Sequence, residues 1–245
     1  MTRQRVSEPV VDLLRSPNGP RDRQLLFGDT VTVGETAGDH SRVIADKDRY
    51  SGWVRTAQLG PVLRATHWIT AAATHVYAEP DMKTPDRLSL SFGSRISVIS
   101  EQSRFVETEL GFIPNVHVSP EPWRYSDPVS VAALFLGTPY LWGGNSRFGL
   151  DCSGLVQAAL LACGIPCPGD SGDQEKVLGD DLPEDAKLKR GDLVFWKGHV
   201  AWVADDDRFL HANAFHMAAQ YEGIDEAISR IKTQGDGPVT SRKRL

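Results

Sequence analysis

The chain has 245 residues, 40% of them hydrophobic and 24% charged, with a formal net charge of -5. That is the profile of a folded globular protein with room for one large domain or two or three small ones. It excludes collagen-like, disordered and solenoid classes. The acidic balance also argues against nucleic acid or an anionic membrane surface as the principal partner.

The N-terminal stretch "MTRQRVSEPVVDLLRSPNG" carries two early arginines and no long apolar core, so it does not read as a signal peptide. No apolar run approaches the length of a membrane span. The expectation is a cytoplasmic protein. Three cysteines fit that compartment, since an odd and sparse set is no disulfide framework.

The first half repeats itself. "DRQLLFGDTVTV" (22–33) resembles "DRLSLSFGSRISV" (86–98), and Gly52-Trp53-Val54 is answered by Gly111-Phe112-Ile113. In each copy a Phe-Gly turn precedes β-branched residues in alternation, Val31 and Val33 in one and Ile96 and Val98 in the other. A period of two with turns at short intervals predicts small antiparallel barrels. On those two motifs the region resembles tandem bacterial SH3-like domains, expected over residues 1–62 and 63–122. Such barrels bind or scaffold, and chemistry has to be sought elsewhere.

Pro120, Pro122 and Pro128 punctuate the passage into the second half. "DPVSVAALFLG" predicts a helix with Asp127 as cap, Pro128 at its first position and Gly137 beyond its end. A second helix is expected from about Cys152 to Cys163, with Leu155, Val156, Ala159 and Leu160 as its apolar face. "RGDLVFWKGHVAWVADDDRFLHANA" predicts three strands with turns at Lys197-Gly198 and at 205–207. "YEGIDEAISRI" predicts a short final helix, and "TSRKRL" a solvated basic end. Helices followed by an antiparallel sheet make an α+β domain, expected over 123–245.

Cys152 lies between the glycine-rich run "YLWGGNSRFGLD" and the first turn of the second helix. Helix N-termini favour a thiolate, and the Gly149, Asp151, Ser153 and Gly154 flank leaves amides free to face an anion. Such a thiolate is a nucleophile, and its own amide can help hold an oxyanion. The alternative reading is a small buried hydrophobe. His199 and His211 supply the base and its orienter: with a hairpin centred on Asp205 they are each six residues from the tip and face each other across the ladder.

"PYLWGGNSRFGLDCSGLV", "RGDLVFWKGHVAWV" and "FLHANA" together resemble the NlpC-type cell-wall peptidases, a papain-like cysteine peptidase family. The resemblance implies Cys152 as nucleophile, His199 as general base and His211 as the polar third member. Tyr140 matches a tyrosine close to the cysteine that helps hold the oxyanion. SH3-like modules ahead of such a domain resemble the γ-D-glutamyl-L-diamino acid endopeptidases, which cut peptidoglycan stem peptides before diaminopimelate or lysine in cell-wall recycling. That resemblance implies a muropeptide partner with a free N-terminal L-Ala. Asp151 and Ser171 (in "GDSGDQ") would receive its ammonium, and an aromatic residue of the first barrel would close the pocket, with Tyr50 in "DRYSGWV" the candidate and barrel packing its alternative reading. Apart from the resemblance, Trp142, two residues after Tyr140, is the tryptophan placed to line a groove, the others reading as core or interface anchors. Other readings stay open: a papain-like amidase or acyltransferase acting on another substrate, or a non-catalytic muropeptide-binding module.

No metal or organic cofactor is implied. Cys163 and Cys167 have no second pair at zinc spacing and read as structural. Residues 205–207 read as a solvated hairpin tip and not as a calcium loop. His216 has no partner assignable from sequence.

Overall fold

The computed structural model describes residues 2–235 and 237–245. Two compact units divide the chain: one runs up to Trp123 and includes Asn145–Phe148, the other comprises Arg124–Gly144 and Gly149–Leu245.

The first unit is all β. Seven strands form one antiparallel sheet in the order Arg21–Leu26, Val10–Leu14, Ser51–Arg55, His40–Ala45, Thr30–Ala37, Thr2–Val6, Leu59–Gly60. Period-two alternation sends Val31, Val33, Val43 and Val54 inward onto Val11, Leu13 and Leu25. A second module begins with His67–Ile69 and ends with Val118–Pro120. Its core is Ile69, Val76, Leu90, Ile96, Val106 and Ile113, joined by Phe27 from the first module. The Phe-Gly repeat explains that loan. Gly28 adopts φ +81°, and a Cβ there would stand 2.1 Å from the Arg95 carbonyl oxygen, so only glycine lets the turn close against the second module. The Arg95 amide then donates to Phe27 O over 2.9 Å. The repeated motif therefore builds the seam between the modules as well as a turn within each.

The second unit is α+β. Helix α1 spans Pro128–Ala133 and is capped by Asp127, which accepts from the Val129 amide. It stops short of Gly137, the residue expected just past its end; residues 134–137 are turn. Helix α2 spans Cys152–Ala162 and is buried on nearly every side, as its apolar composition requires. Helix α3 spans Ser171–Val177, and α4 spans Ile224–Gln234.

The sheet runs antiparallel in the order Asp180–Asp181, Ser241–Arg244, Leu193–Trp196, His199–Val203, Arg208–Asn213, Ala218–Gly223. Two expectations are corrected here. Tyr221 to Gly223 belong to a strand rather than to the final helix, which starts at Ile224. The basic tail is no solvated end: it is a sheet strand, with Arg244 held by Asp192 at 2.6 and 2.8 Å and Lys243 buried. Val194, Trp196, Ala201, Val203 and Phe209 form one face of this sheet, and Ala227 and Ile231 of α4 cover it. No helix of the described residues is long and apolar enough to cross a membrane.

Candidate active site

Asp151 ends the glycine-rich run in an extended conformation and caps α2, its Oδ1 accepting from the Gly154 amide over 2.6 Å. Oδ2 accepts from the Gly143 amide over 3.0 Å, which ties the run to the helix start. This cap puts Cys152 at the first helical position, where amides have no carbonyl partner of their own. The thiol donates to Gly198 O over 3.9 Å, and the amides of Val200, Ser153 and Cys152 are turned to its sulfur. Cys152 thus sits beside the first residues of the His199 strand, only 6% exposed.

The thiol is not the preformed thiolate expected from a helix N-terminus. Burial first, then the Asp151 charge, pushes it up to about 12, and the three amides offset only part of this. His199 is lowered to about 3 by burial and by the neighbouring His211. At neutral pH the pair rests as thiol and neutral imidazole.

His199 Nε2 and His211 Nδ1 lie 2.9 Å apart. The register differs from the expected one. Trp202 pairs with Leu210 and Val203 with Phe209, which centres the hairpin on Asp206 and sets the histidines diagonally. Both still project from one face, so the rings meet. His211 is fully buried, and burial lowers it against the opposing pull of Glu222. Its Nε2 lies 2.9 Å from Glu222 Oε2, and Arg230 of α4 grips both oxygens of that carboxylate at 2.7 Å. Burial would raise Glu222, but the bonds from Arg230 and His211 win and hold it near 2. His216 stands 3.9 Å from Glu222 and bonds through its amide to Asn213.

Sequence reasoning missed Glu222 and Arg230, because a helix over 221–231 gives Glu222 no reason to meet the His211 strand, and it missed Asn213, whose strand was expected but whose bond to His211 was not.

Tyr140 is half-buried, its amide bonded to Met217 O, and burial first, with Cys152 and Asp151 nearby, raises its phenol, which stays a donor. Ser171 opens α3, one turn before the buried Gln174, whose side chain donates to Ser153 O at the start of α2. Trp142 projects from the glycine-rich run, 63% exposed. Tyr50 belongs to the first unit, where its hydroxyl donates to Asp22 and its ring packs on the barrel core. Cys163 caps the C-terminus of α2, and Cys167 is buried and bonded to Pro168 O. Among the described residues no group of three or more His, Cys, Asp or Glu is arranged to hold a metal ion.

An α+β fold with a cysteine at the start of its buried helix, its thiol bonded to the carbonyl just before a histidine that a second histidine holds, defines a cysteine peptidase of the papain-like type. Residues 137–235 match the NlpC/P60 family, and residues 13–59 match the bacterial dipeptidyl-peptidase Sh3 domain. The chain is 33% identical to the gamma-D-glutamyl-L-lysine dipeptidyl-peptidase of Bacillus subtilis, over 77% of this chain and 71% of that one. The same-named protein of Bacillus cereus is 27% identical over 78% of this chain and 67% of its own. A crystal structure of an NlpC/P60 family protein from Bacillus cereus superposes with a TM-score of 0.81 at 21% identity, covering 99% of both chains. The chain belongs to the NlpC/P60 family.

Proposed function

We propose that the protein hydrolyses the bond between γ-D-glutamate and a diamino acid in peptidoglycan stem peptides that bear a free N-terminal L-Ala, in cell-wall recycling. The observation that carries this reading is the hydrogen-bonded His199–His211 pair on strands beside the Cys152 thiol. The names of the two Bacillus relatives, γ-D-glutamyl-L-lysine dipeptidyl-peptidases, supply the substrate class.

In this mechanism His199 Nδ1 takes the thiol proton as Cys152 Sγ bonds to the γ-carbonyl carbon and the carbonyl π pair moves onto oxygen. The Cys152 amide and the neutral Tyr140 hydroxyl donate to that oxyanion. Collapse breaks the C–N bond, and the amine of the diamino acid leaves with the proton held by His199. His199 then deprotonates a water that attacks the thioester; collapse releases the L-Ala-D-Glu carboxyl product and returns the proton to sulfur.

Asp151 is the proposed partner of the substrate ammonium. The residue is only 8% exposed, its Oδ1 accepting from the Gly154 amide and the Ser153 hydroxyl and its Oδ2 from the Gly143 amide, so its negative charge is held in place at the start of α2 beside Cys152. Ser171, on the helix whose Gln174 bonds to the start of α2, is proposed to share that ammonium. Acylation of the amine would remove both the charge and two donors, so blocked peptides would bind poorly.

The test is a mass-spectrometric digest of L-Ala-γ-D-Glu-diaminopimelate and its lysine counterpart, beside their N-acetylated forms and a Cys152→Ala control. The expected result is release of L-Ala-D-Glu from free peptides alone, and only with Cys152 present. Equal cleavage of blocked and free peptides would refute the free-amine requirement, and no cleavage of any would refute the substrate assignment.

A further inference from the structure

The proton positions on the two histidines are dictated from outside the Cys152 site, and resting on the reading just given, they decide whether His199 can act as a base. His211 Nε2 is contested. Glu222 Oε2 lies 2.9 Å away on one side, and Asn213 Nδ2 lies 3.1 Å away on another. Asn213 can offer only N–H there, because its Oδ1 is committed to the His216 amide at 2.8 Å. An asparagine N–H calls for a bare Nε2; a carboxylate calls for a protonated one. The two neighbours ask for opposite tautomers of one buried ring.

Arg230 settles the contest. Its paired bonds at 2.7 Å keep Glu222 an anion, and a full charge outweighs a neutral amide in a buried setting. With the proton on His211 Nε2, His211 Nδ1 is a bare acceptor. His199 must then carry its own proton on Nε2 to make the 2.9 Å bond between the rings. His199 Nδ1, the ring nitrogen not engaged with His211, is left with its lone pair.

We propose that the Glu222–Arg230 pair is a tautomer lock: it fixes the proton of His211 on Nε2 and thereby keeps His199 Nδ1 free to take the proton of Cys152. Neither residue touches the reacting atoms; both are positioning residues. Remove the charge and Asn213 wins. The proton of His211 moves to Nδ1, the inter-ring bond reverses, and His199 turns an N–H toward the thiol where a lone pair is needed.

Long-range proton–nitrogen correlation NMR of the 15N-labelled full chain at pH 7 reads these tautomers directly and needs no substrate. The expected wild-type spectrum shows both His199 and His211 protonated on Nε2. In Glu222→Gln, which keeps the side-chain shape, both are expected on Nδ1. With peptide as substrate, kcat of that variant is expected to fall roughly 10- to 100-fold or more with little change in KM. Arg230→Lys, which retains the cation, is expected to keep the wild-type tautomers and most of kcat, whereas Arg230→Met is not. A wild-type His211 protonated on Nδ1, or a Glu222→Gln protein with wild-type tautomers or wild-type kcat, would overturn the lock. If Glu222→Gln does not fold, the wild-type spectrum and Arg230→Lys still decide. Should wild type cleave none of the peptides, the substrate assignment fails alone, and the NMR result together with Cys152 alkylation rates by iodoacetamide stands in for kcat.

Discussion

His199 and His211 bond across the sheet without being opposite each other. The Trp202–Leu210 and Val203–Phe209 pairs place Ala201 opposite His211, so His199 reaches its partner along the diagonal, over 2.9 Å. Diagonal neighbours on one face are within reach of ring side chains, and here the pairing is specified by hydrogen bonding as well as by register. A residue that orients a base contributes through rate more than through binding. His211→Ala is therefore expected to lower kcat by about 10²- to 10⁴-fold while KM stays close to wild type. Steady-state kinetics check this; a loss confined to KM would assign His211 to substrate contact instead.

Cys152 and His199 rest uncharged, with the thiol pushed up to about 12 and the imidazole lowered to about 3. Alkylation by iodoacetamide follows the thiolate fraction, which below the thiol pKa grows about tenfold per pH unit. Labelling of Cys152, separated by peptide mass from Cys163 and Cys167, is expected to be slow at pH 6 and to climb without a plateau to pH 9. A rate already level between pH 5 and pH 8 would mean a preformed thiolate–imidazolium pair.

Two neutral histidines, His211 buried and His199 half-buried, make stability depend on acid. An unfolded histidine titrates near 6.5, whereas folded His199 is lowered to about 3, and His211 is lowered in the same sense. Between those values the unfolded chain binds the proton and the folded one does not. Stability is then present above about pH 6.5 and is lost as pH falls toward 3, at about 1.4 kcal/mol per pH unit for one such group. Asp127 and Glu222, both lowered to about 2, add loss below their unfolded values near 4. Melting temperatures between pH 7 and pH 4 are expected to fall more steeply for wild type than for His199→Gln. Parallel curves would remove His199 as the cause.

What could be read from sequence was local. The Asp127-Pro128 start, the placement of Cys152 at the mouth of α2 and the alternation of the barrel strands each depend on residues within a few positions. What could not be read depends on partners far along the chain. Phe27 looks like a turn residue of its own barrel, yet it is buried in the core of the next. Glu222 is spaced as well for a helix face as for a strand, and only its pairing with Phe209 settles which. The thiol shows the same limit in its electrostatics. Local sequence predicts a helix N-terminus that lowers it, but burial, which sequence does not show, outweighs that effect.

The tail illustrates this most plainly, since its charges suggest solvent and its register says otherwise. Ser241–Arg244 lies between Asp180–Asp181 and the hydrophobic strand Leu193–Trp196, pairing with both. Arg244 supplies the cation for the buried Asp192 carboxylate, and Lys243 reaches Asp181 over 2.8 Å. Ending the chain at Thr240 would strip Asp192 of its cation and expose one edge of a strand whose four residues are all buried. The expected cost is about 2 kcal/mol or more, with aggregation through the bared edge. Arg244→Ala alone is expected to lower the urea midpoint without promoting aggregation, because the ladder survives. Urea melts with light scattering separate the two effects. A truncated protein that unfolds at the wild-type midpoint and stays monomeric would show that the tail strand adds nothing to the sheet.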